Sequence, residues 1–255
     1  MLGSSARAAP LWPSALSAAH LREQEIHLWC AALGDFCSEL PRFHATLSPE
    51  ERERARKLHF SDDRDAFVMC RGILRQLLAQ YLGRDAATIA FAYGRSGKPE
   101  ITGLQDHCPL HFNVSRSGAI VVYAMTAAGP VGVDVERVRP VPEFDDIASR
   151  FFNPGDASML RTLPADVQME AFFACWTCKE AFVKATGDGI ARDPGLSRLD
   201  PERHAHPSVE GEPRRADAWQ FQLFRPAPGY LATLAHRADG ARLRRSAVSK
   251  RLVKS

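Results

Sequence analysis

Gly129-Pro130-Val131-Gly132-Val133-Asp134-Val135-Glu136 is the stretch on which the reading of this chain turns. Valine alternates with glycine, aspartate and glutamate, the two-residue period of a β-strand. Side chains two apart on a strand share a face. Asp134 and Glu136 therefore stand side by side, while Val131, Val133 and Val135 cover the opposite face. Adjacent carboxylates repel each other unless a cation or a proton lies between them. A solvated edge strand would carry the same pattern, and spacing alone does not separate the two readings. A second stretch bears on the choice: Trp176-Thr177-Cys178-Lys179-Glu180, with Lys184 one turn further on. Trp176, Glu180 and Lys184 are spaced by four and line one helix face. As a surface ion pair, Glu180 and Lys184 would contribute only a few tenths of a kcal/mol. Phe172, Phe173, Phe182 and Val183 make this helix mostly buried, however, and a buried glutamate needs a partner or a metal. Two strand carboxylates and one helix carboxylate together offer the oxygen donors that Mg²⁺ takes alongside water and phosphate.

Outward from these stretches, helices and strands mix along the chain. Glu25 to Ala32 reads as a strand. Ser48-Pro49-Glu50-Glu51 reads as a helix start, with serine at the N-cap, proline next and glutamate three residues on. Asp63 to Leu82 is a long amphipathic helix, with Phe67, Leu74, Leu77, Leu78 and Tyr81 at helical spacing, and Gly83 ends it. Short strands follow at Ile89–Tyr93, Leu110–Val114 and Ala119–Thr126. The second half is built in the same manner, with helical stretches at Phe144–Phe152 and Val167–Thr186, a helix or loop at Pro154–Leu163, and strands at Trp219–Phe224 and Tyr230–His236. The expectation is an α+β fold made of two similar subdomains, each a long helix on a small, mostly antiparallel sheet. Residues 1–19 read as a flexible N-terminus, 20–127 as the first subdomain, 128–238 as the second, and 239–255 as a basic, structureless tail.

Composition narrows the class. The 255 residues have room for one large domain or two small ones with a real core. A hydrophobic share of 45% and a charged share of 25% are those of a soluble globular protein. The net charge of +3 is too small to argue for nucleic acid and suits an anionic ligand or an acidic partner. No run approaches the ~18 apolar residues of a membrane span. Met1 to Ala19, broken by Pro10 and Pro13, lacks the basic start and unbroken apolar core of a secretory leader, so a cytoplasmic protein is expected. Six cysteines, at 30, 37, 70, 108, 175 and 178, do not form the pattern of a disulfide framework. Cys175 and Cys178 make a lone C-x-x-C inside a helical run, which reads as helix packing rather than a redox or zinc site.

Two polar loops could hold phosphate. Gly94-Arg95-Ser96-Gly97-Lys98-Pro99 has backbone freedom and positive charge, but not the spacing of a Walker loop; a plain hairpin loop is the competing reading. Asn113-Val114-Ser115-Arg116-Ser117-Gly118 offers hydroxyls and a guanidinium after a strand, against the alternative of a simple Asn/Ser turn.

At this point four ordered motifs coincide. Gly97-Lys98-Pro99, Phe112-Asn113-Val114-Ser115, Gly132-Val133-Asp134-Val135-Glu136 and Trp176-Thr177-Cys178-Lys179-Glu180-Ala181-Phe182-Val183-Lys184 resemble, in order and spacing, the 4′-phosphopantetheinyl transferases of the larger, surfactin-synthetase-activating type. Arg150-Phe151-Phe152 and the helix carrying Arg71 and Arg75 also resemble that family, and the likeness runs from about Ile26 to His236. It implies a monomeric pseudo-dimer with coenzyme A in the cleft between its halves. The implied reaction is transfer of the phosphopantetheine arm to a serine of an apo acyl or peptidyl carrier protein, with adenosine 3′,5′-bisphosphate left over. By position, Asp134, Glu136 and Glu180 would hold Mg²⁺. Lys184 would steady phosphate charge, and Glu180, or a water near it, would take the serine proton. Lys98 and Pro99 would lie at the adenine end, Ser115 and Arg116 at the 3′-phosphate beside Asn113, with Arg54 a further phosphate ligand. Arg116 stands where the family usually has histidine; arginine keeps its charge at all physiological pH and can grip phosphate with two bonds. A non-catalytic coenzyme A-binding relative and a Mg²⁺-dependent phosphohydrolase are the competing readings; neither a nucleic acid nor a membrane partner is expected.

Overall fold

The computed structural model describes residues 10–12, 21–94, 97–103, 110–187, 219–237 and 241–253. In chain order the elements are β1 (Glu25–Ala32), α1 (Leu40–Thr46), α2 (Pro49–Arg56), α3 (Ser61–Leu82), β2 (Phe91–Tyr93), β3 (Pro99–Ile101), β4 (His111–Ser117), β5 (Ile120–Thr126), β6 (Val131–Arg137), α4 (Phe144–Phe151), α5 (Pro154–Thr162), α6 (Ala165–Thr186), β7 (Gln220–Phe224), β8 (Tyr230–His236) and β9 (Arg242–Ala247). The strands form a four-stranded sheet of order β4-β5-β1-β9, a three-stranded sheet of order β6-β8-β7 and a small β2-β3 hairpin. The expected α+β architecture is present.

Two helices of 22 residues, α3 and α6, set the plan. Each ends at a glycine in the left-handed conformation, Gly83 at φ 61° and Gly187 at φ 78°, where a side chain would be strained. α3 packs its Val68, Met69, Ile73, Leu77 and neighbours against Trp29, Val121, Tyr123 and Met125 on one face of the larger sheet. The other face of that sheet, through Ile26, Leu28, Val122 and Ala124, meets Val131, Val133, Val135, Ala232 and Leu234 of the smaller sheet. The valines of the opening stretch are thus the glue between the two sheets. α6 lies on the far side of the smaller sheet, close enough that a Cβ on Gly132 would stand 2.0 Å from the Ala181 carbonyl oxygen. Layers therefore run helix, sheet, sheet, helix.

Local signals read correctly at the start of α2. The Ser48 hydroxyl accepts from the Glu51 amide at 3.3 Å, and Glu51 Oε2 accepts from the Ser48 amide at 3.0 Å, a complete capping box. The same glutamate takes a 2.7 Å hydrogen bond from Arg75 Nε, so one buried carboxylate caps α2 and pins it to α3.

Two expectations need correction. The first concerns Ser115-Arg116-Ser117, read above as part of a polar loop after the strand, either a phosphate-holding loop or an Asn/Ser turn. These residues are strand: β4 continues through Arg116↔Val121 and Ser117↔Ile120 to a two-residue turn at Gly118-Ala119, with Gly118 at φ 53°. The second concerns the basic tail. Arg242 to Ala247 form β9, which pairs in parallel with Glu25 to Cys30 of β1, and Val248 and Val253 are buried in the core beside α3. The physical reason lies in β1, which is buried along its whole length and needs a neighbour on both sides. Arginines on an edge strand keep other chains from adding to it, and here they also hid the strand's apolar members. His204–Arg215 and Cys108 lie outside the described residues.

The tail correction is testable. Deleting residues 242–255 removes two buried valines and bares the edge of β1. At roughly 1.5–3 kcal/mol for each fully buried valine, we expect a loss of about 3–6 kcal/mol in urea unfolding. A truncated chain with unchanged stability would mean that β9 does not dock.

Candidate active site

The site grows from a seam between two sheet edges. β4 is the edge of the larger sheet and β6 the edge of the smaller one. No backbone ladder joins them. Instead, alternate side chains of β4 accept hydrogen bonds from alternate amides of β6: Asn113 Oδ1 from Val133 at 2.8 Å, Ser115 Oγ from Val135 at 3.2 Å and Ser117 Oγ from Arg137 at 3.1 Å. Both strands have a two-residue side-chain period, so the three bonds repeat in register.

The two serines also donate. Ser115 gives its proton to Asp134 Oδ1 at 2.8 Å, and Ser117 gives its own to Glu136 Oε2 at 2.7 Å. Both carboxylates found in the sequence are therefore oriented by hydroxyls from the other half of the molecule. From α6, Lys184 Nζ reaches across to Asp134 Oδ1 at 2.6 Å and to Ser115 Oγ at 2.9 Å. Lys184 is thus directed into the seam. Ser115 Oγ now has one donated and two accepted bonds, its full capacity.

Glu180 lies one turn before Lys184 on α6, half-buried. Burial raises its carboxyl pKa above the ordinary value, and the neighbouring Asp134 and Glu136 charges raise it further, with Lys184 opposing them. Glu136 is likewise raised, first by burial and then by Asp134, against the Ser117 hydrogen bond and Arg139. The three carboxylates feel one another electrostatically even though, among the described residues, no three His, Cys, Asp or Glu side chains already converge as a ready metal cage. Lys184 stands on Asp134 Oδ1, and Glu136 is turned towards Ser117 and, at 3.6 Å, Arg139. The donor set suits a divalent cation on two grounds. Asp134 is 3% exposed, and its Oδ2 has no hydrogen-bond partner, an uncommon condition for a buried carboxylate oxygen. The mutual repulsion of hard oxygen ligands is what Mg²⁺ relieves.

The remaining candidates separate. Lys98 Nζ donates to the main-chain carbonyls of Val131 at 3.2 Å and Lys184 at 2.7 Å, tying the β2-β3 hairpin to the start of β6 and the end of α6. Burial lowers its pKa. Pro99, next to it, opens β3 opposite Tyr93. Asn113 and Ser115 sit in the seam, whereas Arg116, one residue on, points to the opposite face of β4. Its guanidinium donates to the Gly118 carbonyl at 3.2 Å and lies 4.0 Å from Asp63 near the start of α3. Arg54 is exposed, 5.6 Å over the Phe67 ring, which Arg71 also approaches at 5.9 Å. Arg54 and Arg71 thus both approach Phe67 of α3, the helix that Arg116 also approaches through Asp63. Ser117 was missed as a site residue. Its signal was the second serine of Asn-x-Ser-x-Ser, on the same strand face as Ser115.

The raised carboxyls give a signed prediction. Both bind protons more tightly in the folded chain than in the unfolded one. Without a bound cation, stability should therefore rise as pH falls through their raised folded values, with no further gain below the unfolded value near 4.5. Glu180→Gln should raise the midpoint of thermal unfolding in chelator at pH 7 and flatten that pH dependence. A variant less stable than wild type at pH 7 would contradict the repulsion.

Comparison with known proteins finds relatives over most of the chain. A family model described as 4′-phosphopantetheinyl transferase superfamily matches residues 130–235, and one described as 4′-phosphopantetheinyl transferase, N-terminal, matches residues 36–128. The 4′-phosphopantetheinyl transferase HetI of a Nostoc species is 36% identical over 215 residues, which cover 84% of this chain and 89% of the relative. The Bacillus subtilis 4′-phosphopantetheinyl transferase ffp is 30% identical over 203 residues, 79% of this chain and 87% of its own. Sfp of Bacillus subtilis is 33% identical over 153 residues, 60% of this chain and 66% of its own. The two family segments meet at the turn before β6, where the chain passes from the larger sheet to the smaller one. With a relative this similar over most of both chains, the protein belongs to the 4′-phosphopantetheinyl transferase superfamily.

Proposed function

We propose that the chain transfers the 4′-phosphopantetheine arm of coenzyme A to a serine of an apo acyl or peptidyl carrier protein. The observation that supports this most is Asp134: buried at the seam, held by Ser115 and Lys184 on one oxygen, and unpartnered on the other. In the proposed reaction the carrier serine oxygen attacks the β-phosphorus of the pyrophosphate. A new P–O ester bond forms, the bond from that phosphorus to the bridging oxygen breaks, and adenosine 3′,5′-bisphosphate leaves with the bridging oxygen.

Each residue has a chemical part. Glu180, whose proton affinity is raised by burial, accepts the serine proton as general base. Lys184 is placed to donate hydrogen bonds to phosphate oxygens as charge builds on them. Asp134, Glu136 and Glu180 would hold Mg²⁺, which supplies charge neutralisation on the pyrophosphate. Arg116 and Arg54 are assigned to the 3′-phosphate, with Lys98 and Pro99 at the adenine end. Lys98 acts there while holding the ends of β6 and α6, and Asn113 and Ser115 support the site by holding β6. No helix of the described residues is long and apolar enough to cross a membrane, and we infer a monomer working in the cytoplasm.

The decisive assay mixes the purified chain with coenzyme A, Mg²⁺ and an apo carrier protein. A mass gain of one phosphopantetheine on the carrier is expected; cleavage of coenzyme A without that gain would overturn the transferase reading in favour of hydrolysis. Asp134→Ala should lower kcat by about 10³-fold or more, the scale of losing a key charge-stabilising group, with the fold intact by circular dichroism. For Arg116→Ala we expect KM for coenzyme A to rise about tenfold, the worth of one charge-assisted hydrogen bond, and the preference over 3′-dephospho-coenzyme A to shrink. An unchanged KM would remove Arg116 from the site.

A further inference from the structure

Ser117 is used twice by the seam and is given no part in the reaction above. Its hydroxyl oxygen accepts from the Arg137 amide at 3.1 Å, and its proton goes to Glu136 Oε2 at 2.7 Å. Because it is the last residue of β4 before the tight turn at Gly118, its Cα is held by the turn on one side and by pairing with Ile120 on the other. The hydroxyl is therefore fixed relative to β6 by a bond to the backbone of the very strand whose carboxylate it orients.

The partners of Glu136 make this matter. Arg139 Nη1 lies 3.6 Å from the same oxygen, Oε2, that Ser117 holds at 2.7 Å, and its side chain is 56% exposed. The closer and less solvated of the two contacts is the one to Ser117. Asp134 is secured differently, by both Ser115 and Lys184. Loss of one serine hydroxyl should thus affect Glu136 more than its counterpart would affect Asp134.

We infer that Ser117 is a positioning residue: by bridging the Arg137 amide and Glu136 Oε2, it fixes the Glu136 carboxylate on the strand that carries it, so that Oε1 is left to meet the cation. This inference rests on the transferase reading and its Mg²⁺ site, and it specifies which residue outside the ligand set governs cation affinity. Groups that orient a metal ligand in this way typically change metal affinity by about 10–100-fold when removed.

The test is Mn²⁺ binding, followed by electron paramagnetic resonance, on the full chain without coenzyme A, together with the Mg²⁺ dependence of transfer. Ser117→Ala should weaken Mn²⁺ binding about tenfold or more and raise the Mg²⁺ concentration for half-maximal rate in parallel. KM for coenzyme A at saturating Mg²⁺ should stay within about threefold, because that change leaves the basic cluster at α3 untouched. Ser117→Thr, which keeps the hydroxyl, should restore wild-type affinity. Arg139→Ala alone should change Mn²⁺ affinity less than Ser117→Ala does, because its contact with the same oxygen is longer and more exposed. If Ser117→Ala does not fold, Ser117→Cys, with similar volume and a weak donor, carries the same comparison. Wild-type affinity for Mn²⁺ in the folded variant would overturn the inference while leaving the transferase reading standing. A wild-type chain that neither binds Mn²⁺ nor transfers would overturn both.

Discussion

Much of the molecule depends on three side chains standing in for a strand. β6 presents the amides of Val133, Val135 and Arg137 at an edge that the two-sheet packing partly buries, and a buried amide without an acceptor costs about 1–3 kcal/mol. β4 answers with Asn113, Ser115 and Ser117. A true backbone ladder would merge the two sheets into one continuous surface. The side-chain ladder satisfies the amides while letting the sheets fold face to face over Val131, Val133 and Val135. It also fixes the offset between the two strands, because a one-residue slip would turn the polar face of β4 away from the amides.

That offset propagates to α6. Gly132 lets the helix backbone approach β6 to a distance no other residue would permit, since its Cβ would collide with Ala181 O and Ala185 N. α6 therefore delivers Glu180 and Lys184 at a height along β6 set by Gly132, while Ser115 and Ser117 set the orientation of Asp134 and Glu136 from the other side. Lys98 closes the arrangement by hydrogen-bonding the carbonyls of Val131 and Lys184 at the same end. The carboxylates are thus held by elements from both halves, and like charges kept close in this way carry an electrostatic cost when no cation is bound, the kind of local strain that tends to sit at functional sites.

How much of this was legible in the sequence follows from which partner each residue has. The β6 strand and both long helices were read correctly because their partners are apolar surfaces, which leave a period of two or of 3.6 in the sequence. The start of α2 was read from a capping box whose two members are three residues apart. Asp134, Glu136, Glu180 and Lys184 could be singled out because carboxylates and a lysine stood where apolar residues would have packed. Ser115-Arg116-Ser117 was misread as loop because its two serines face the backbone of another strand, and no local pattern records a backbone partner 20 residues away. β9 was misread because its arginines face outward on an edge and hide the few apolar residues that dock. The direction of Lys98, onto two carbonyls, depends on how the hairpin meets the second half, which spacing does not encode.

The choice of serine in the ladder has a consequence beyond satisfying amides. A backbone carbonyl in the same place could accept from β6 but could give nothing onward. A serine hydroxyl accepts and donates at once, so each bond to a β6 amide ends as a bond to the carboxylate of the residue before that amide. The position of the strand backbone is in this way passed directly to the side chain it carries. Asn113 begins the series at Val133, where the preceding residue is Gly132 and there is no carboxylate to receive a proton. Where carboxylates precede the amide, at Val135 and Arg137, the ladder has serine. The alternation of residue type along β4 follows the distribution of charge along β6, which ties the chemistry of the site to the same contacts that join the halves.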